Sequence, residues 1–389
     1  MVKNREAEAM RVLVLYDYPP PPGGLATQGD LLYRGLKELG IDAHAVHYSS
    51  AQEKEWYYRW FKPDVVVGVG YWGNTPDLVL HAQRCGALPV PWLVADGYVA
   101  NYQETLNALP LILVTSQWVK DVYKRDGLHG KNIEVLPVGV DTESFVPRDK
   151  SEQKVACVRD ALGVKPEDIM ILTVGGDAAS KGAQEVMQAL AIIDGKAPKW
   201  KYVCKVWPQP RTLQQNLMDL QLATSLGIMN KVIYTTNIVS RNFMPYLLNA
   251  CDIYAAPSRL EGFGVPQVEA GACGKPVVSI KAMAMLDTLV HGETAFLADI
   301  AMEVVIKETT AGEESGWEPG HRIVFQNPHT VDYRASVHDI ADYLLTLMQD
   351  EKLRRRMGEA GRRRVVENYD YRIVAKKFVQ IISEKLGLT

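Results

Sequence analysis

Short apolar runs alternate with amphipathic stretches along the chain, the pattern produced by parallel strands joined by helices. The first run, RVLVLYDYPP at 11–20, predicts a buried strand closed by prolines. In LATQGDLLYRGLKELG at 25–40, Leu31, Leu32, Leu36 and Leu39 fall on one face of a helix that Gly40 ends. Strand, glycine-rich loop and helix together open a doubly wound unit. Further strands are predicted in DAHAVHY, PDVVVGVG, VPWLVAD, LILVTS and IEVLPVG, all short, β-branched and bounded by turn residues. After Pro147 a charged connector, RDKSEQK at 148–154, leads to a helix and a fresh strand, DIMILTVGG at 168–176, where a second doubly wound unit begins. Its strands continue in WKYVCKVW, KVIYTTN, DIYAAPS and KPVVSI. The expected fold is α/β: two doubly wound, Rossmann-like domains facing each other across a cleft, residues 1–150 and 151–370, followed by a strongly amphipathic helix at 371–386.

Composition narrows the function. A chain of 389 residues suits two domains, each able to bury a core. The net charge of -3 gives no electrostatic reason to expect nucleic acid as a partner. The five cysteines, Cys85, Cys157, Cys204, Cys251 and Cys273, are odd in number and lack a C-x-x-C spacing. That argues against a disulfide framework or a zinc site, fits a reducing cytosol, and leaves them as small core residues. No run approaches the ~20 apolar residues of a membrane span, and the polar start MVKNREAEAM is unlike a signal peptide. A cytoplasmic protein with at most peripheral membrane contact is expected.

Doubly wound sheets bind ligands at the carboxyl ends of their strands, so the chemistry belongs in the loops that follow them. The most informative loop is PSRLEGFGVPQVEAGACGKPVVS at 257–279. The chain turns there through Gly262 and Gly264, and Pro266 suits the first turn of a helix carrying Glu269. Glycines let backbone N–H groups approach a ligand, and the helix start adds partial positive charge suited to phosphate. Glu269, about a turn into that helix, can accept two hydrogen bonds from a vicinal diol such as a ribose. Glu261, before the turn, would face the sugar beyond the phosphates. Gly271, Ala272 and Gly274 would allow close helix-to-sheet packing.

The segment EGFGVPQVEAGACGKPVV resembles the E-x7-E signature of the retaining glycosyltransferases of family four, which have the GT-B fold. The resemblance covers most of the chain: PPPPGG at 19–24, IEVLPVGVDTESFVP at 133–147, the Lys181–Gly182 pair and EAGRRRVVENYDY at 359–371. It implies transfer of a hexose from a UDP-, GDP- or similar sugar to a hydroxyl acceptor, which is a small molecule, a glycan or a lipid-linked group. It further implies retention of configuration, no cofactor and no metal, and the chain has no D-x-D motif. The second domain would hold most of the donor, and residues 371–389 would pack back on the first, acceptor-side domain. By motif, Glu269 binds the ribose hydroxyls and Glu261 a hydroxyl of the transferred sugar. The backbone of Gly262, Phe263 and Gly264, with Val265, contacts sugar or phosphate. Lys181, preceded by Gly175 and Gly176 in VGGDAASKG, matches the phosphate lysine, and Gly23 and Gly24 match a loop that closes over the diphosphate. The leaving phosphate oxygen would take the acceptor's proton on the face from which it departs, so the protein supplies no general base. Domain closure, with a pivot at 148–154, would keep water out.

Departures from the family pattern shift some roles. Gly175 stands where the family has a diphosphate arginine, and Lys205 or Arg259 could restore that cation. The first domain has no histidine in PWLVADGY at 91–98, leaving Asp96 as the substitute sugar-hydroxyl acceptor or, equally, as a turn cap. Two readings from other classes stand beside transfer: a sugar-nucleotide epimerase and a catalytically silent sugar-nucleotide sensor. Elsewhere, Trp56, Tyr57, Trp60 and Phe61 lie at helical spacing, which core packing or a homodimer contact explains and a membrane surface or acceptor ring could use. The basic run KLRRRMGEAGRRR at 352–364 reads as a solvated helix face, and the stretch Asp299 to Asp332 as a mobile loop.

Overall fold

The computed structural model of the protein describes residues 10–388, apart from Asp96, Glu313, Glu314 and the side chain of Arg211. The chain divides into two compact units. The first takes the chain up to Gly139 together with Ile306–His329 and the end from Asn368; the second is Val140–Val305 with Thr330–Glu367.

In the first unit, β1 (Arg11–Tyr16), β2 (Asp42–His47), β3 (Val65–Tyr71), β4 (Pro89–Val94), β5 (Ile112–Val114) and β6 (Ile133–Val135) form a sheet of order β2-β1-β3-β4-β5-β6. All its pairings are parallel. Helices cover both faces of such a sheet, which is why the central strands are continuous runs of Val, Leu and Ile without alternation. Leu13, Leu15, Val66, Leu93, Ile112, Val114 and Ile133 are fully buried in one cluster. The helix Gly24–Glu38 lays Leu31, Leu32 and Leu36 inward, as its spacing requires. The final helix, Tyr371–Leu386, packs on it so closely that a Cβ on Gly35 would stand 2.6 Å from the Ala375 methyl. Arg372 adds an ion pair to Glu38 at 2.8 Å.

In the second unit, β7 (Ile169–Val174), β8 (Trp200–Val206), β9 (Val232–Thr236), β10 (Ile253–Ala255), β11 (Val277–Ile280) and β12 (Ala295–Ala298) form a parallel sheet of order β12-β11-β10-β7-β8-β9. The chain winds outward from β7 to β9, then returns to β10 and winds the other way. Its direction therefore reverses between β7 and β10, the point at which such sheets bind ligands.

Several expectations need correction. The stretch expected to be a mobile loop contains β13 (Ile300–Thr310) and β14 (Arg322–Ala335), which pair as a two-stranded ribbon. Most β13 residues are exposed on both faces, so that strand has no buried alternation by which its sequence would predict it. In the first unit Phe325 stacks on His329 at 4.2 Å and near Tyr98 at 5.1 Å, and His329 pairs with the buried Asp126 at 3.0 Å. Cys85 and Cys157 are exposed and are not core residues; Cys204, Cys251 and Cys273 are. Trp56 and Trp60 are about half exposed, side by side at 5.0 Å, so core packing does not account for them.

The basic helix Glu351–Asn368 is only partly a solvated face. Arg362 donates to the carbonyls of Phe145 (2.6 Å), Thr142 (2.9 Å) and Ala272 (3.1 Å), and Arg364 donates to those of Asp287 (2.7 Å) and Thr288 (2.9 Å). These arginines supply donors to carbonyls of loops and of the ends of the helices Val265–Ala272 and Met285–Thr288. Gly271 and Gly274 serve the same helix, not the sheet: a Cβ on Gly358 would lie 1.9 Å from the Gly274 carbonyl oxygen.

Candidate functional site

The loop after β10 carries Glu261 and the loop after β7 carries Lys181, so both leave the sheet at the crevice where the strand order reverses. Buried polar struts shape the first loop. Gln267 donates from Nε2 to the Ala256 carbonyl (3.3 Å) and the Ser258 hydroxyl (3.0 Å), and the Ser279 hydroxyl donates to the same carbonyl at 2.8 Å. Gly264, at φ 88°, is the N-cap of the helix Val265–Ala272. Its N–H donates to Glu261 Oε1 at 3.1 Å, anchoring that carboxylate at the positive end of the helix. Phe263 is buried beneath the bend.

The second loop is locked to the first. The Arg259 N–H donates to the Ser180 carbonyl at 2.9 Å. Gly182, at φ 78°, comes so near that a Cβ would stand 2.3 Å from the Pro257 carbonyl oxygen. This approach brings Lys181 Nζ to 2.7 Å from Glu261 Oε2, with both side chains mostly shielded from water.

Glu269 is 1% exposed and bonded to the guanidinium of Arg241. Burial pushes its carboxyl above the ordinary carboxylate range, and Arg241 opposes that rise. Arg241 comes from the loop after β9 and stacks 4.5 Å over the Phe145 ring. The sequence reading missed it, because nothing in NIVSRN marks an arginine that folds back on a distant glutamate. Replacing Arg241 with Gln removes the positive charge that lowers the Glu269 pKa. Its carboxylate should then take up its proton at a higher pH, and nucleotide affinity, if it depends on that carboxylate, should fail sooner as the pH is lowered. Calorimetric titration of UDP against wild type and variant over a pH series checks the shift.

The remaining residues are placed as follows. Arg259 is held by Glu185 through Nε (3.2 Å) and Nη2 (3.0 Å), with Gln184 also accepting from Nη2 at 2.9 Å. Lys205, 3% exposed at the end of β8, has no ion pair among the described residues. Burial lowers its pKa, and its carbonyl accepts the Gly175 N–H at 3.1 Å. At Gly175 a Cβ would fall 2.7 Å from Lys181 Cγ, so no arginine side chain fits there as the loop stands. Gly176 abuts Trp207, whose N–H donates to its carbonyl at 3.0 Å. Gly23 and Gly24 lie in the first unit at the start of the helix Gly24–Glu38, where a Cβ on Gly24 meets nothing within 4 Å. Asp96 falls outside the described residues.

Comparison with known proteins fits this geometry. Residues 158–305, which contain both glutamates and both lysines, match the family model described as glycosyl transferases group 1. The chain is 32% identical over 283 residues to a D-inositol 3-phosphate glycosyltransferase of Mycobacterium marinum, covering 72% of this chain and 57% of that one. A protein of the same name from Mycolicibacterium gilvum is 30% identical over 318 residues, covering 79% of this chain and 68% of that one. The chain thus spans little more than half to two thirds of the length of these relatives. Among solved structures, Anabaena HepE in complex with UDP and glucose superimposes with a TM-score of 0.70 at 16% identity, covering 97% of this chain and all of that one. That likeness carries the fold, two Rossmann-like domains of the GT-B class, and the sequence identity over so much of the chain carries the rest: the protein belongs to the glycosyl transferases group 1 family.

Proposed function

We propose that the protein transfers a hexose from a nucleotide diphosphate sugar to a hydroxyl acceptor with retention of anomeric configuration. The observation that carries this reading is the pair of glutamates flanking one glycine bend, each held by a cation, at the point where the strand order reverses. In the proposal, Glu269 accepts from the two ribose hydroxyls and Glu261 from a hydroxyl of the sugar. Lys181 and Lys205, with N–H groups of the 262–265 bend, meet the diphosphate. The sugar–phosphate bond breaks as positive charge grows on the sugar and negative charge on the diphosphate, so cations fixed in a shielded crevice favour that stage of the reaction over the ground state. The departing phosphate oxygen takes the acceptor's proton, so the protein needs no general base. The proposal has neither metal nor cofactor.

Gly23, Gly24 and Asp96 are the proposed contributions of the first unit, whose surface would select the acceptor. HepE is named in complex with UDP and glucose, which supports a UDP-sugar as the first donor to test. Among the described residues no helix is long and apolar enough to cross a membrane. The decisive experiment incubates the protein with a panel of mass-tagged UDP- and GDP-sugars. Sugar transfer or slow donor hydrolysis with release of the diphosphate is expected. An isomerised donor would replace the proposal with epimerisation, and tight binding without turnover would replace it with sensing.

A further inference from the structure

In the first unit, away from the loops after β1 and β4, three donor atoms of different kinds converge. The ligating atoms of Glu55, His81 and Cys85 all lie within 4.8 Å of one another. They line an open recess of about 550 Å³ with Tyr58, Arg59 and Arg84. Local structure explains the convergence. His81 and Cys85 are four residues apart on one helical turn, the Cys85 N–H donating to the His81 carbonyl at 3.3 Å, so both side chains share a face. Glu55 comes from the helix Ala51–Trp60. Its neighbour Lys54 is fully buried and donates to the Asp77 carbonyl at 2.9 Å, with the Asp77 carboxylate at 3.5 Å. That clamp joins the helix Ala51–Trp60 to the segment Pro76–Leu80 that leads into His81, and so sets Glu55 opposite the imidazole.

Two features single this cluster out. His81 is 7% exposed, yet its Nδ1 has no hydrogen-bond partner, and its Nε2 is 3.8 Å from Glu55 Oε1, too far for a hydrogen bond. A buried imidazole whose Nδ1 lacks a partner and whose Nε2 faces a carboxylate beyond hydrogen-bonding reach is suited to take up a ligand. A nitrogen and an oxygen on one tetrahedral Zn2+ stand about 3.3–3.5 Å apart, given bonds of about 2.0–2.2 Å, so an ion would draw His81 Nε2 and Glu55 Oε1 together by a few tenths of an ångström from 3.8 Å. Tyr58 Oη, also buried without a partner, borders the same recess and can hold a metal-bound water.

We propose that Glu55, His81 and Cys85 bind a thiophilic divalent ion, with Zn2+ the best fit, completed by a water molecule. The charges allow it. Carboxylate and thiolate neutralise the ion, and Asp77 offsets Lys54. Arg59 is a mostly exposed side chain weakly paired with Glu55 at 3.5 Å and free to swing into water, which leaves Arg84 as the opposing cation. The ion would staple the helix Ala51–Trp60 to the turn at 81–85. The site is invisible in cysteine spacing because its three ligands come from two separated helices.

The test uses the full chain after treatment with chelator. Zn2+ should raise the melting temperature and protect Cys85 from iodoacetamide at least tenfold, while Cys157, exposed and outside the cluster, alkylates at an unchanged rate. Co2+ should give thiolate-to-cobalt absorption that Cys85→Ser abolishes, and His81→Gln should weaken Zn2+ binding at least tenfold. Equal alkylation of the two cysteines with and without Zn2+ overturns the proposal, as does wild-type Zn2+ affinity in both variants. The alkylation result on the unaltered chain decides the matter alone should either variant lose its fold.

Discussion

Glu261→Ala should slow sugar transfer by about two to three orders of magnitude while donor affinity changes less than about tenfold, and Glu269→Ala should do the reverse. The two carboxylates differ in what they touch. Glu261 is tied to Lys181 at 2.7 Å and to the Gly264 N–H at 3.1 Å, so it sits among the groups proposed to meet the breaking bond. Removing it loosens Lys181 as well, and both losses are felt most when charge develops. Glu269 is sunk beneath the surface and tied to Arg241, and the proposal assigns it the ribose, which does not change during the reaction. Interactions made equally in ground and transition states affect binding more than turnover. Single-turnover rates at saturating donor, with dissociation constants from titration, separate the two effects. Wild-type behaviour in both variants would remove the site assignment.

Much of this was legible because it depends on local physics. Parallel strands buried on both faces are runs of Val, Leu and Ile, so β1, β3 and β7 announced themselves, and the inward stripe of Leu31, Leu32 and Leu36 declared its helix. The acidic pair was legible because Gly262, Gly264 and Pro266 specify a bend followed by a helix start. What stayed hidden depends on partners far along the chain. Arg241 is 28 residues from the Glu269 it neutralises, and Glu185 is 74 residues from the Arg259 it engages. No periodicity encodes such pairs. Strand β13 escaped for another reason: exposed on both faces, it lacks the alternation by which a half-buried strand is recognised. Glycine was over-read in one place, since Gly271 and Gly274 accommodate the helix Glu351–Asn368, whose approach no local pattern reveals.

Lys205→Met should weaken binding of the nucleoside diphosphate about ten- to a hundredfold, leave binding of the free nucleoside unchanged, and raise the melting temperature of the ligand-free protein. Lys205 and Arg259 were the two candidates for the cation absent at Gly175, and their surroundings separate them. Arg259 is bonded to Glu185, and Arg334, which shares that carboxylate at 3.3 Å, is itself paired with Asp332 at 2.7 Å, so two arginines and two carboxylates balance and little charge is left for a ligand. Lys205 is buried at the strand end beside Gly175 with no ion pair among the described residues, an arrangement that stability alone does not favour. Burial depresses its pKa in the folded state, so the unfolded chain binds the proton more tightly. Stability therefore rises with pH through the depressed value, and at lower pH the charged lysine works against the fold. Methionine fills similar space without that charge, hence the gain in melting temperature. A diphosphate would supply the missing counter-charge, hence the loss of affinity confined to phosphorylated ligands. Arg259→Gln should show the opposite profile: a lower melting temperature, because Glu185 loses its closest partner, with diphosphate affinity nearly retained. If Lys205→Met leaves diphosphate binding intact, or lowers stability like an ordinary core substitution, the cation must come from elsewhere in the crevice.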